Sequence, residues 1–183
     1  MNLKVDADGA LAAALTVLRA DGPAPAVQVL SVRKPANASV RERLRDPRLT
    51  PHALLAGAWR LAVTGDPEDR KAAAEAFRRL TTDRMVHPYL RWKALAAIPT
   101  VDFTAAEECA GRIWTVVEDE SVSLDQRRWA AEALADAFPV MGAPLRDAVR
   151  RLAEHVDDVR ARRRLQRSIA VIDRGERWIP AIA

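Results

Sequence analysis

Three histidines, one cysteine and a few clustered carboxylates are the side chains of this sequence best suited to bond-making chemistry, and their spacing supports none. His52, His87 and His155 fall on different predicted helices or their ends, with no partner at ligand spacing, so no metal site is expected. His52 and His87 each sit beside a proline at a predicted helix start, where a polar residue serves a structural purpose. Cys109 lies on the apolar face of its helix, in register with Ala73 and Leu145, and reads as an inert core thiol. Standing alone, it excludes an internal disulfide framework and a cysteine-based metal cluster. Glu107-Glu108 and Glu118-Asp119-Glu120 flank helix ends, where carboxylates are ordinarily solvated. The sequence has no glycine-rich phosphate loop, no Gly-x-Ser-x-Gly elbow and no paired-carboxylate motif. No catalytic residue and no cofactor is therefore assigned, although missing motifs do not by themselves exclude an enzyme.

Residues suited to binding are more plentiful. Of 29 basic residues 25 are arginine, whose planar fork makes contacts with carboxylate, phosphate and aromatic faces that lysine does not. Net charge is +4, unevenly spread. From Met1 to Pro139 there are 19 Lys and Arg against 19 Asp and Glu, whereas Val140 to Ala183 holds 10 against 6. The whole excess lies in the last quarter of the chain. That is little positive charge for a dedicated nucleic-acid binder.

The elements that must position these residues are helices. The chain is 49% hydrophobic and 30% charged, with 36 alanines and only 5% aromatics. Such a composition favours closely packed helices over strands. A first helix spans about Asp8 to Ala20 and ends at Gly22-Pro23-Ala24-Pro25. Ala26 to Val32 is a short apolar run, either a strand or a buried helical turn. Asn37 or Ser39 caps a short helix reaching Arg45. Further helices are predicted over 51–64, 67–81, 87–98, 103–118, 123–138, 144–156 and 158–174. No apolar stretch approaches a membrane span, and the N-terminal residues lack the basic-then-apolar pattern of a signal peptide. A cytoplasmic protein without a membrane partner is expected.

Internal repetition is the strongest signal. Phe77, Ile113 and Val149 recur every 36 residues, as do Leu80, Val116 and Leu152. In the alternate helices Ala58, Ala94 and Ala130 share that spacing, followed by Ala62, Ile98 and Leu134, and Leu165 and Ile169 continue the series one residue short. A two-helix unit of this period predicts an all-α, right-handed α-solenoid of stacked antiparallel helix pairs, with about 8–9 helices. The expected organisation is an N-terminal helical cap region over 1–46, repeats over 47–174 and a capping tail over 175–183, where Trp178-Ile179-Pro180-Ala181-Ile182 cannot continue the helix.

The run Asp66-Pro67-Glu68-Asp69-Arg70-Lys71-Ala72-Ala73-Ala74-Glu75-Ala76-Phe77 resembles the HEAT-like repeat of the phycobilisome-lyase type. Leu90-Arg91-Trp92-Lys93-Ala94 and Gln126-Arg127-Arg128-Trp129-Ala130 are similar but lack the Asp-Pro. The resemblance covers roughly 47–174 and implies a fold, while HEAT-like arrays serve many roles. It also implies that Arg70, Arg91 and Arg127 are structural.

On a solenoid one set of helices lines a concave surface. With the helices from 51, 87, 123 and 158 as that set, the repeat register places Trp59, Arg60, Trp92, Arg128, Arg163 and Arg167 along one exposed ladder, with Glu132 as its one acid. Trp129 points sideways, toward the neighbouring repeat. Exposed tryptophan and arginine are the residue types that dominate binding hot spots. The ladder thus predicts a non-enzymatic interaction module that holds an acidic protein segment in a Trp/Arg groove. The alternatives are nucleic-acid binding, in which tryptophans stack bases and arginines neutralise phosphates, and a small-molecule enzyme using the groove as a pocket. A few DNA glycosylases are similar to HEAT arrays, but this chain is shorter and their catalytic residues do not map onto it. If the ladder is exposed, replacing Trp92 and Arg128 together with alanine is expected to leave folding nearly intact.

Overall fold

Five of the described helices start at a side chain that accepts a hydrogen bond from the first turn. The computed structural model describes residues 37–64 and 66–175, and all of its regular structure there is helical. Eight α-helices follow in order: α1 (Asn37–Leu44), α2 (Pro51–Ala62), α3 (Pro67–Thr82), α4 (Pro88–Ala97), α5 (Ala106–Glu118), α6 (Leu124–Ala137), α7 (Gly142–Glu154) and α8 (Val159–Arg174). Thr50, His87, Ser123 and Asp158 cap α2, α4, α6 and α8, each side chain accepting a backbone N–H of the first turn. Proline follows the cap in α2 and α4, where its missing N–H costs nothing. Asp66 Oδ1 accepts from the N–H groups of Glu68 and Asp69 at 2.8 and 3.0 Å and so starts α3. Gly175, at φ 62, ends α8 in the left-handed conformation that glycine adopts without steric cost.

Every helix predicted between residues 37 and 174 is present, with local differences at prolines. Pro99 cannot donate to the helical ladder, and α4 tightens into a 3-10 turn over Ile98–Thr100 instead of running on. Phe103–Ala105 is likewise a 3-10 turn that precedes α5. Helix α7 starts at Gly142, two residues before the predicted start, because Pro144 fits within a first turn. The helix predicted at Asp8–Ala20, the run Ala26–Val32 and the tail at Trp178–Ile182 lie outside the described residues.

The chain divides into two units, Met1–Ala76 and Phe77–Ala183. In the first, α1 packs on α2 through Val40 and Leu44, and Gly57 allows the close approach: a Cβ there would lie 2.7 Å from Leu44 Cδ2. The same unit is tied by a buried carboxylate. Asp69, only 1% exposed, accepts from Asn37 Nδ2 at 2.7 Å and Thr64 Oγ1 at 2.9 Å, and pairs with Arg41. One side chain of α3 thereby holds both α1 and the end of the α2–α3 turn.

In the second unit α6 is central, packing against α4, α5, α7 and α8. Alanine makes this possible: Ala130, Ala131, Ala133 and Ala135 are fully buried around Leu134. The 36-residue series maps onto the cores of the two units. Ala58, Ala94, Ala130, Phe77, Ile113, Val149 and Leu165 are all fully buried. Val116 and Ile169 are the exceptions, only half-buried, with Val117 taking the core position in α5.

Two outcomes follow. Ala94→Asp and Ala130→Asp are each expected to abolish the cooperative melt, because a buried carboxylate without a partner costs several kcal/mol, on the order of a domain's whole stability. A variant melting like the parent would show that its helix is packed in another register. For Asp69, burial alone would raise the carboxyl pKa, but hydrogen bonds from Thr64, Arg41 and Asn37 outweigh it and hold the group below its ordinary range. The stability it contributes is present above the unfolded pKa, near 4, and is lost as pH falls through the lower folded value. Asp69→Asn should cost about 2 kcal/mol at pH 7 and remove that acid-dependent component. An unchanged acid limb in denaturation curves from about pH 5 to pH 2 would contradict the assignment.

Candidate functional site

The side of α6 facing α4 and α8 carries polar residues one turn apart: Arg128, Glu132 and Asp136, with Asp125 one turn earlier. Arg128 donates to Glu132 Oε1 at 2.9 Å and to Asp125 Oδ1 at 3.0 Å. Both Arg128 and Glu132 are 5% exposed. From α4, Lys93 pairs with Asp136, and its ammonium lies 5.6 Å from the Tyr89 ring centroid. From α8, Arg164 comes within 3.9 Å of Glu132. The result is a charge cluster that links three alternate helices.

Its electrostatics are those of partly desolvated pairs. Burial pushes the Glu132 carboxyl above its usual range, while Arg164, Arg128 and Lys93 pull it part of the way back. Burial would lower the Lys93 pKa, but Asp136, with Tyr89 and Glu132, more than offsets it and leaves the ammonium above its ordinary value. Lys93 is therefore a fixed cation at neutral pH, with no free pair to act as base or nucleophile.

The predicted ladder is dispersed by this packing. Trp59 and Arg60, in the first unit, are half-buried and already engaged with neighbouring groups. Trp92 is half-buried, and its indole N–H is shut off from solvent with no hydrogen-bond partner. Arg128 and Glu132, expected on the exposed stripe, are buried, because α4 and α8 approach α6 across alanine-sized side chains and close over them. Arg163 and Arg167 are exposed on α8, as expected. Arg160 joins them on the same flank, at i, i+3 and i+7. No ion-pair or hydrogen-bond partner faces these three arginines among the described residues.

Other residues take scaffold roles. Trp129 meets His87 edge-on at 4.5 Å between ring centroids, joining α6 to the start of α4. Arg127 Nε donates to the Val117 carbonyl at 3.0 Å, closing the α5–α6 turn. Cys109 is buried in α5, and burial, with help from Glu108, pushes its thiol up to about 11. It is protonated and shielded at neutral pH, which matches the inert role read from its register. No group of three or more His, Cys, Asp or Glu among the described residues is arranged to hold a metal ion, and no described helix is long and apolar enough to cross a membrane.

Two members of the cluster, Lys93 and Asp136, were not singled out from sequence. They are 43 residues apart and share no repeat position, so no periodic signal joins them. Comparison with known proteins adds nothing to this geometry: the chain matches no protein-family model, no curated protein and no solved structure.

The burial of Arg128 reverses the expectation for its replacement. Arg128→Ala leaves Glu132 with weaker partners and should cost about 3 kcal/mol, whereas the double variant Arg128→Met/Glu132→Met should stay within about 1 kcal/mol of the parent. Chemical denaturation of both decides. A single variant as stable as the parent would return Arg128 to the surface.

Proposed function

We infer that the protein is a non-enzymatic interaction module that binds an acidic protein segment, and that its helices form a short right-handed HEAT-like solenoid. The solenoid reading is supported by the packing of alternate helices α4, α6 and α8 on one another, with α5 and α7 each against α6. One observation carries the binding reading: Arg160, Arg163 and Arg167 stand exposed on α8, while Lys93 of α4 and Arg128 of α6 are paired with internal carboxylates. The contact between Arg164 and Glu132 supplies an internal example of the recognition, a guanidinium of the same helix turned to a carboxylate. The proposed site is thus the α8 flank, with Arg163 and Arg167 retained from the ladder and Arg160 added. Trp92, half-buried on α4, contributes apolar surface, and Arg128 belongs to the scaffold.

Anisotropy titrations with a labelled oligoglutamate peptide and a labelled oligothymidylate, between about 50 and 200 mM salt, test the proposal. The peptide should bind, and Arg163→Ala/Arg167→Ala should weaken it at least about tenfold, or 1.4 kcal/mol, with an unchanged melting temperature. Tighter binding of the oligonucleotide, with a steep salt dependence, would replace the protein partner by nucleic acid. Undiminished peptide affinity in the double variant would remove α8 from the site.

A further inference from the structure

The basic flank of α8 holds more like charge than a solvated helix face requires. Arg160 and Arg163, Arg163 and Arg167, Arg160 and Arg164, and Arg164 and Arg167 are all three or four residues apart. At those spacings helix side chains are neighbours, and like charges oppose helix formation. Little among the described residues relieves this. The first turn of α8 contains no acidic residue, and the Asp158 side chain is occupied in capping, accepting from Ala161 N at 2.6 Å. Asp173 pairs with Arg146 of α7, and Arg162, on another flank, donates to the Val156 carbonyl at 2.7 Å. Among the described residues Arg164 alone of the flank reaches a carboxylate, Glu132.

The row is also held straight. Ala161, Leu165, Ser168 and Ile172 are buried along the opposite side of α8, against α6 and α7, so the arginines keep the spacing of a fixed helix. Successive guanidinium stems are displaced by about 4.5 and 6 Å along the axis, about 10.5 Å in all.

We propose that the Arg160–Arg163–Arg167 row docks a helix carrying carboxylates along one stripe; the inference rests on the reading of an acidic protein partner given above. Acidic residues at i, i+3 or i+4, and i+7 of a partner helix repeat the steps of the row, so each carboxylate meets one guanidinium while both helices stay straight. In an extended segment, side chains on one side recur about every 6.8 Å, so three of them cover about 13.5 Å and overrun the row. A helix also brings its acids on one face without like charge on the other, which suits a site whose surroundings are already neutralised internally.

Two soluble peptides of identical composition separate the possibilities: one with glutamates at i, i+3, i+7 and i+10 on an alanine and glutamine background, the other with the same residues spread around the helix. Isothermal titration against the full chain should give at least tenfold tighter binding for the striped peptide, and circular dichroism should show that it gains helix on binding. The variant Arg160→Ala/Arg163→Ala/Arg167→Ala should lose that difference, while Arg150→Ala on α7, which removes the same kind of charge elsewhere, should keep it within about twofold. Equal affinities for the two peptides, both lost in the triple variant, would overturn the helical stripe and leave the acidic-partner reading standing. If neither peptide binds, both readings fall.

Discussion

The close approach of α6 to four neighbouring helices is the constraint on which the second unit depends. A central helix can accept partners on both sides only if its side chains are small at the crossings, and Ala130, Ala131, Ala133 and Ala135 meet that requirement. The electrostatics follow from the same fact. Helices drawn in by alanine close over whatever lies on the intervening face, and on α6 that includes Arg128 and Glu132. Charges so enclosed are tolerated because they are mutually satisfied: the guanidinium bridges two carboxylates of its own helix, and Lys93 answers Asp136 from the next. The first unit solves a comparable problem with one carboxylate. Asp69 gathers an amide, a hydroxyl and a guanidinium, and so ties α1 to the α2–α3 turn.

Internal neutralisation divides the cations into two populations. Lys93 of α4 and Arg128 of α6 are held by carboxylates, and Arg127 closes a turn. Those on one flank of α8 are left facing outward. The excess of positive charge counted over the last quarter of the sequence thus becomes a local feature of one helix, the last of the described array.

Much of the fold was legible in the sequence. The helix starts near 51, 87, 123 and 158 were read where Thr50, His87, Ser123 and Asp158 cap them, and the 36-residue series named core positions such as Ala94, Ala130 and Ile113. The site was legible only in part. Periodicity assigns a face relative to a single buried side, so it set Arg128 opposite the core of its own repeat and could not register that α4 and α8 enclose α6 from both flanks. Arg163 and Arg167 are exposed as the register places them, and α8 has no following helix among the described residues to cover them. Asp69 and the pairing of Lys93 with Asp136 depend on contacts across tens of residues, where neither spacing nor composition leaves a trace.

The buried thiol of Cys109 has a use that its inertness creates. A sulfur enclosed between α5 and its neighbours, and protonated at neutral pH, reacts with an alkylating reagent only during excursions that expose α5. With a single cysteine in the chain, each modified molecule reports one such excursion at one place. The second unit therefore carries its own clock for local opening, set in α5 and far in sequence from the arginine row. It would register whether occupation of α8 stiffens helices that the ligand never touches.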